Sequence, residues 1–148
     1  FIVGYNEPRK LNTNRSGSHN VIIGNHHNFT SYGGIVVGFS NEIAAPYASV
    51  TAGIGNIASG EYSSVSGGQN NTASGWGSWV GGGQGNTANG YLSSVSGGQL
   101  NTASAYMSSV SGGYLNSVYG RWSSVSGEYS REAGGDFDWM GGEYFSEQ

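Results

Sequence analysis

The chain has 148 residues, enough for one domain, with 28 Gly, 2 Pro, no Cys and only 9% charged residues. Its 13% aromatic content and evenly spaced valines exclude a flexible Gly-rich linker, and Gly is not at every third position, which excludes a collagen helix. A formal net charge of −4 disfavours nucleic acid and anionic membrane surfaces, and without Cys there is no disulfide framework and no thiolate chemistry.

No apolar run approaches the ~20 residues of a transmembrane helix, so no membrane insertion is expected within this segment. The chain begins at Phe1 without a Met or a signal-like stretch, which reads as a fragment or a processed product. From there the organising feature is a repeat. One apolar column runs Phe1, Val21, Ile35, Val50, Val65, Val80, Val95, Val110, Val125 and Met140, in steps of 15 from Ile35 onward. A second follows eight residues behind it: Phe29, Ile43, Ala58, Ala73, Ala88, Ala103, Val118 and Ala133. Two apolar positions per repeat, each flanked by small polar residues, predict two short strands with one buried face apiece. Fixed-period repetition of this kind is the mark of a solenoid.

The chain therefore reads as a single all-β domain over 1–148, a parallel β-roll of about ten coils of 14–15 residues. Residues 1–20 form the first coil, with a polar surface loop inserted at Glu7 to Asn12. Residues 21–135 form the regular coils, with core columns Val50, Val65, Val80, Val95, Val110 and Val125 opposite Ala58, Ala73, Ala88 and Ala103. Residues 136–148 form a degenerate cap, with bulky residues such as Trp139 and Met140 in place of the usual Ser and Val. Gly67-Gly68 and its copies turn the chain after the first strand, and Gly60, Gly75, Gly90 and Gly120 after the second. Asn41, Asn56, Asn71, Asn86, Asn101 and Asn116 recur between them, as turn residues able to form ladders between coils. At about 4.8 Å per coil the rod would be roughly 40 Å long. Each buried Val contributes on the order of 1.5–3 kcal/mol.

At the amino-terminal end the positions beside the column are also apolar, with Ile22 between Val21 and Ile23, and Val36 between Ile35 and Val37. A strand apolar on both faces is covered on both. Ile22 and Val36 are thus expected to point outward, into a contact with another chain or domain.

The tandem units Ser64-Val-Ser-Gly-Gly-Gln-Asn-Asn-Thr-Ala-Ser-Gly75 and Ser94-Val-Ser-Gly-Gly-Gln-Leu-Asn-Thr-Ala-Ser104, with Asn20-Val-Ile-Ile-Gly24 and Gly34-Ile-Val-Val-Gly38, resemble head-domain repeats of trimeric autotransporter adhesins. The resemblance covers roughly residues 18–135. It implies a left-handed β-roll, a homotrimer, an extracellular or cell-surface location, and adhesion to a host-surface protein or glycan. Similar repeats occur in phage tail-fibre-like proteins. The Asn-x-Val-x-Gly pattern also resembles the β-roll ice-binding proteins of plants, which makes the ladders Ser64, Ser94, Ser109, Ser124 and Thr72, Thr87, Thr102 an alternative binding face.

Chemistry-bearing residues are few. His19, His26 and His27 read as solvated turn residues, because adjacent His cannot share a strand face and no Asp, Glu or Cys lies at ligand spacing. Asp136, Asp138 and Glu143 lack the spacing of a calcium loop and read as an acidic cap. No Ser sits in a strand–turn–helix context, and no Gly pair opens a helix, so neither a nucleophile nor a phosphate loop is expected. The expectation is a protein without enzymatic activity, metal or cofactor. The aromatic residues form columns: Trp76, Tyr91 and Tyr106 in one, and Tyr47, Tyr62, Trp122 and Phe137, with Leu92 and Met107, in the next. They suit corner packing and chain contacts, and exposed Trp and Tyr also suit glycan or protein ligands. Trp76, Trp79, Tyr91, Tyr106 and Trp122 are the ligand-binding candidates.

Overall fold

A computed structural model describes residues 1–3 and 14–142. The inserted loop at Glu7 to Asn12 and the end of the cap, including Glu143 and Tyr144, lie outside the described residues. Among the described residues there is no helix, and every paired strand is parallel. In chain order the strands are β1 (Ile2–Val3), β2 (Val21–Asn25), β3 (Asn28–Phe29), β4 (Ile35–Phe39), β5 (Glu42–Ile43), β6 (Ser49–Val50), β7 (Ile57–Ala58), β8 (Ser64–Val65) and β9 (Thr72–Ala73). They continue as β10 (Trp79–Val80), β11 (Thr87–Ala88), β12 (Ser94–Val95), β13 (Thr102–Ala103), β14 (Ser109–Val110), β15 (Ser117–Val118), β16 (Ser124–Val125), β17 (Glu132–Ala133) and β18 (Trp139–Met140). From β2 onward even-numbered strands alternate with odd ones, which builds two sheets. One holds ten strands, from β1 through the even strands to β18, and the other holds eight, from β3 to β17. The protein is a β-solenoid of eight complete two-strand turns, with one further first-sheet strand at each end, slightly fewer than the ten coils expected.

The register follows the repeat. Val65 pairs with Val80, Val80 with Val95, and Ala73 with Ala88, so identical side chains stack at every step. The valines and alanines of both columns are fully buried between the sheets, 0–1% exposed. A Val facing an Ala across so thin a core leaves little apolar area per coil. Hydrogen bonding must therefore carry more of the cohesion than in a globular domain.

The Asn column supplies it. Asn41, Asn56, Asn71, Asn86, Asn101 and Asn116 are all completely buried. Each Oδ1 accepts the backbone N–H of the next ladder residue, as from Asn71 to Asn56 at 2.9 Å. Each Nδ2 donates twice, as from Asn71 to Gly67 O at 2.9 Å and to Gly83 O at 3.0 Å. Every polar atom of the amide is thus satisfied, which is the condition for burying it. The ladder ends on other residue types. At the carboxy-terminal end Arg131 N donates to Asn116 Oδ1. At the amino-terminal end His27 takes the place of Asn: its Nδ1 accepts Asn41 N–H at 3.2 Å, leaving Nε2 to donate to Ile23 O at 3.1 Å. His27 is therefore a buried structural residue, not the solvated turn residue expected; stacking against Asn41 outweighs the usual preference of imidazole for water.

The first coils depart from the expected register by one residue. Ile22 pairs with Val36, and Val36 with Val50. Ile22 and Val36 are 3% and 0% exposed. They are core residues, which corrects their assignment to an outward contact. Val21, Ile23, Ile35 and Val37 carry the outward apolar face instead, with Ile23 and Ile35 exposed. Three apolar residues in a row satisfy alternation in either register, and the corner decides between them. Gly38 stacks on Gly53, and Phe39 bridges Ile54. Only Val37 separates Val36 from Gly38, whereas Thr51 and Ala52 separate Val50 from Gly53. The residue that lengthens a coil from 14 to 15 enters here. It also shortens the strand: β2 and β4 run five residues, and later first-sheet strands run two, followed by an isolated bridge such as Ile54 to Gln69.

Glycine is required most clearly after the first strand. Gly68 has φ +83°, and a Cβ there would strike the Gly83 carbonyl of the next coil and the Asn71 amide. Gly60 and Gly75 are needed for a different reason. Neither has positive φ, but each packs directly on the carbonyl of the coil above.

Candidate functional site

A second left-handed corner lies three residues before each core valine, and no glycine pattern announces it. His19, Tyr47, Tyr62, Leu92, Met107, Trp122 and Phe137 all have φ between 51° and 64° there, with Gly33 and Gly77 at the equivalent positions. Bulky residues rarely accept this conformation, which costs about 1–2 kcal/mol each. The corner swings each of these side chains to one edge of the solenoid. It brings them beside residues from the adjacent column, four before the valine.

The two aromatic columns consequently merge. Tyr32, Tyr47, Tyr62, Trp76, Tyr91, Tyr106, Trp122 and Phe137 form one ladder, one ring per coil, with centroids 4.8–5.5 Å apart. Ring spacing follows coil spacing, so the backbone sets the ladder. Within a column the rings lie parallel: Tyr47 to Tyr62 at 8°, Trp76 to Tyr91 at 6°, Tyr91 to Tyr106 at 2°, and Trp122 to Phe137 at 8°. Wherever the ladder changes column the rings turn edge to face: Tyr32 to Tyr47 at 82°, Tyr62 to Trp76 at 70°, and Tyr106 to Trp122 at 69°. Both geometries are favourable for ring quadrupoles, at about 0.5–1.5 kcal/mol per pair beyond area burial. At Tyr47, Tyr62, Trp122 and Phe137 that gain offsets the strain of the left-handed corner. At each turn an edge covers only part of the facing ring, so some ring face is left open.

The ladder is wet along its length, with every ring at least 40% exposed. Desolvation by its neighbours, with Glu61 alongside, raises the Tyr62 phenol above the ordinary tyrosine value. The break between Tyr106 and Trp122 differs from the rest of the edge. Tyr106, Arg121 and Trp122 line an open cavity of about 270 Å³ there. Arg121 occupies the position that an aromatic ring would take in the column of Tyr106. Its backbone N–H donates to Asp136 Oδ1 at 2.8 Å, and its guanidinium pairs with no carboxylate among the described residues.

The structure thus brings Trp76, Tyr91, Tyr106 and Trp122 together and separates Trp79 from them. Trp79 lies on the outer face of the first sheet, in register with Ser64 and Ser94. Its Nε1 donates to Ser66 Oγ at 3.1 Å, and its ring covers Gly81. Trp139 repeats the arrangement with Ser126, at 3.0 Å, and Gly141. A Trp-x-Gly pair therefore replaces Ser-x-Ser wherever an indole lies flat on the sheet, a coupling visible in the sequence once its cause is known. Tyr114 and Tyr129 stack separately at 5.6 Å, beyond the exposed Gln69, Gln84 and Gln99 row.

The remaining candidates are structural in their contacts. Asp138 Oδ2 accepts Gly135 N–H at 2.7 Å, so both it and Asp136 cap a corner. Among the described residues no three His, Asp or Glu side chains converge as metal ligands. The Thr72, Thr87 and Thr102 row is in register on the second sheet, between Ile57 and Ser117. No family model matches the chain, and no curated protein matches it.

Proposed function

We propose that this solenoid is a structural and adhesive module of an extracellular fibre, of the kind its repeats resemble in the heads of trimeric adhesins. In this reading it acts without catalysis or cofactor, as a homotrimer, and engages a host-surface protein or glycan through its outer edges. A phage-fibre-like appendage would use the same module in the same way. The observation that carries the reading is the ladder of eight exposed rings along one edge, an investment in surface aromatics that a solvated rod does not need. The outward apolar residues Val21, Ile23, Ile35 and Val37 support association of chains at the amino-terminal end. The net charge of −4 favours neither nucleic acid nor anionic lipid as a partner.

Light scattering in solution tests the assembly: a trimer is expected, and a stable monomer of 15.3 kDa would remove it. Adhesion of the purified chain to cell-surface and glycan panels tests the role, and loss of adhesion is expected when Trp76 and Tyr91 are replaced by Ala. A second reading, ice binding, is favoured by one observation, the in-register Thr72, Thr87 and Thr102 row. Unchanged ice growth in the presence of the chain would exclude it.

A further inference from the structure

We infer that the break in the aromatic ladder at Tyr106 and Trp122 is a subsite for one acidic sugar unit, its ring lying against the open aromatic faces and its carboxylate on Arg121. The inference rests on the adhesive reading above and names the ligand class for one place on that edge. Three observations lead to it. First, the ring planes of Tyr106 and Trp122 stand 69° apart and form two walls of a wedge, whereas parallel stretches of the ladder cover their own faces. Carbohydrate rings present C–H bonds above and below their plane, and these pack on an aromatic face. Second, the wedge holds a cavity of about 270 Å³, below the ~300–1,000 Å³ of drug-sized pockets and suited to a single ring. Third, Arg121 is its one charged wall, and no carboxylate competes for the guanidinium among the described residues. The nearest acid on the adjoining coil, Asp136, is turned to the Arg121 backbone N–H. A planar guanidinium beside an apolar wedge complements a carboxylate on an apolar ring, through paired N–H donors.

The other breaks lack this combination. Residue 46 at the Tyr32–Tyr47 break is Pro, and residue 77 at the Tyr62–Trp76 break is Gly, while the neighbouring acid there, Glu61, would repel a carboxylate.

Titration of the intact chain with sialyllactose and with trigalacturonate, each against lactose, by tryptophan fluorescence and chemical-shift mapping, tests the inference. At least one acidic probe is expected to bind more tightly than lactose and to shift signals of Tyr106 and Trp122. Arg121→Gln should weaken that binding by about tenfold and bring it near the neutral sugar. Trp122→Leu should weaken acidic and neutral probes alike, and Trp79→Ser, on the other face, should change neither. Equal affinity for acidic and neutral probes, or binding unchanged by Arg121→Gln, overturns the acidic subsite. If the chain still adheres to surfaces while these variants leave adhesion intact, the subsite falls and the adhesive reading stands. If it adheres to nothing, both fall.

Discussion

The buried amide of Asn86 makes three hydrogen bonds, donating to Gly82 O and Gly98 O and accepting from Asn101 N. Gly98 O also accepts the Gln84 N–H at 3.0 Å, whereas the Asn101 N–H has Asn86 Oδ1 as its partner. Asn86→Ala strands the Gly82 carbonyl and the Asn101 N–H, and each unmet group costs about 1–3 kcal/mol. We expect a loss of about 3 kcal/mol or more in chemical denaturation. A loss below about 1 kcal/mol would mean that the ladder is dispensable. Asn86→Asp should do no better, because it keeps the acceptor, loses the donor and buries a charge. At this scale the repeated Asn was readable as a turn and ladder residue. His27 was not, because a His next to another His carries no mark of which one faces inward.

A coil is a pair of strands joined by corners, and one site of its conformational strain is the left-handed position three residues before each core valine. Leu92 occupies that position with φ +52° and projects a half-exposed side chain. Leu92→Gly and Leu92→Ala remove nearly the same contacts but differ in backbone preference. Glycine should be the more stable of the two by about 1 kcal/mol. At Ser94, in a strand, the order should reverse. Thermal melts of the four variants check both signs. Equal stabilities at residue 92 would show that the corner relaxes. The sequence hinted at this corner only through Gly33 and Gly77, which share a column with tyrosines and tryptophan. Physically, the corner merges two aromatic columns into one ladder and sets where its rings turn.

The whole molecule is a one-dimensional stack in which each coil contacts its neighbours. Stability is then close to a sum over adjacent pairs. Removing residues 96–110, one 15-residue period, joins Val95 to Ser111 and leaves every remaining column in register. The shortened chain should stay folded, with a lower melting temperature and the same circular dichroism signature per residue. Removing 96–109 instead shifts the following columns by one residue and turns their core faces outward. That chain should unfold or aggregate. Two equally stable products would argue against a register held by the core columns.

The sequence by itself determined the architecture. A fixed period, two apolar columns and Gly at the close-approach corners admit little but a parallel solenoid, since equivalent residues can be buried together only by stacking. Tertiary structure decided what local patterns leave degenerate. Ile22 and Val36 belong to the core because Gly38 must stack on Gly53 and Phe39 must meet Ile54, and a run of three apolar residues cannot reveal that. The aromatic edge exists because a left-handed corner re-aims side chains, a backbone choice that Tyr47, Leu92 and Trp122 conceal. The wedge at Tyr106 and Trp122 arises where consecutive coils place their ring on different sides of that corner, so only the stacked coils reveal it.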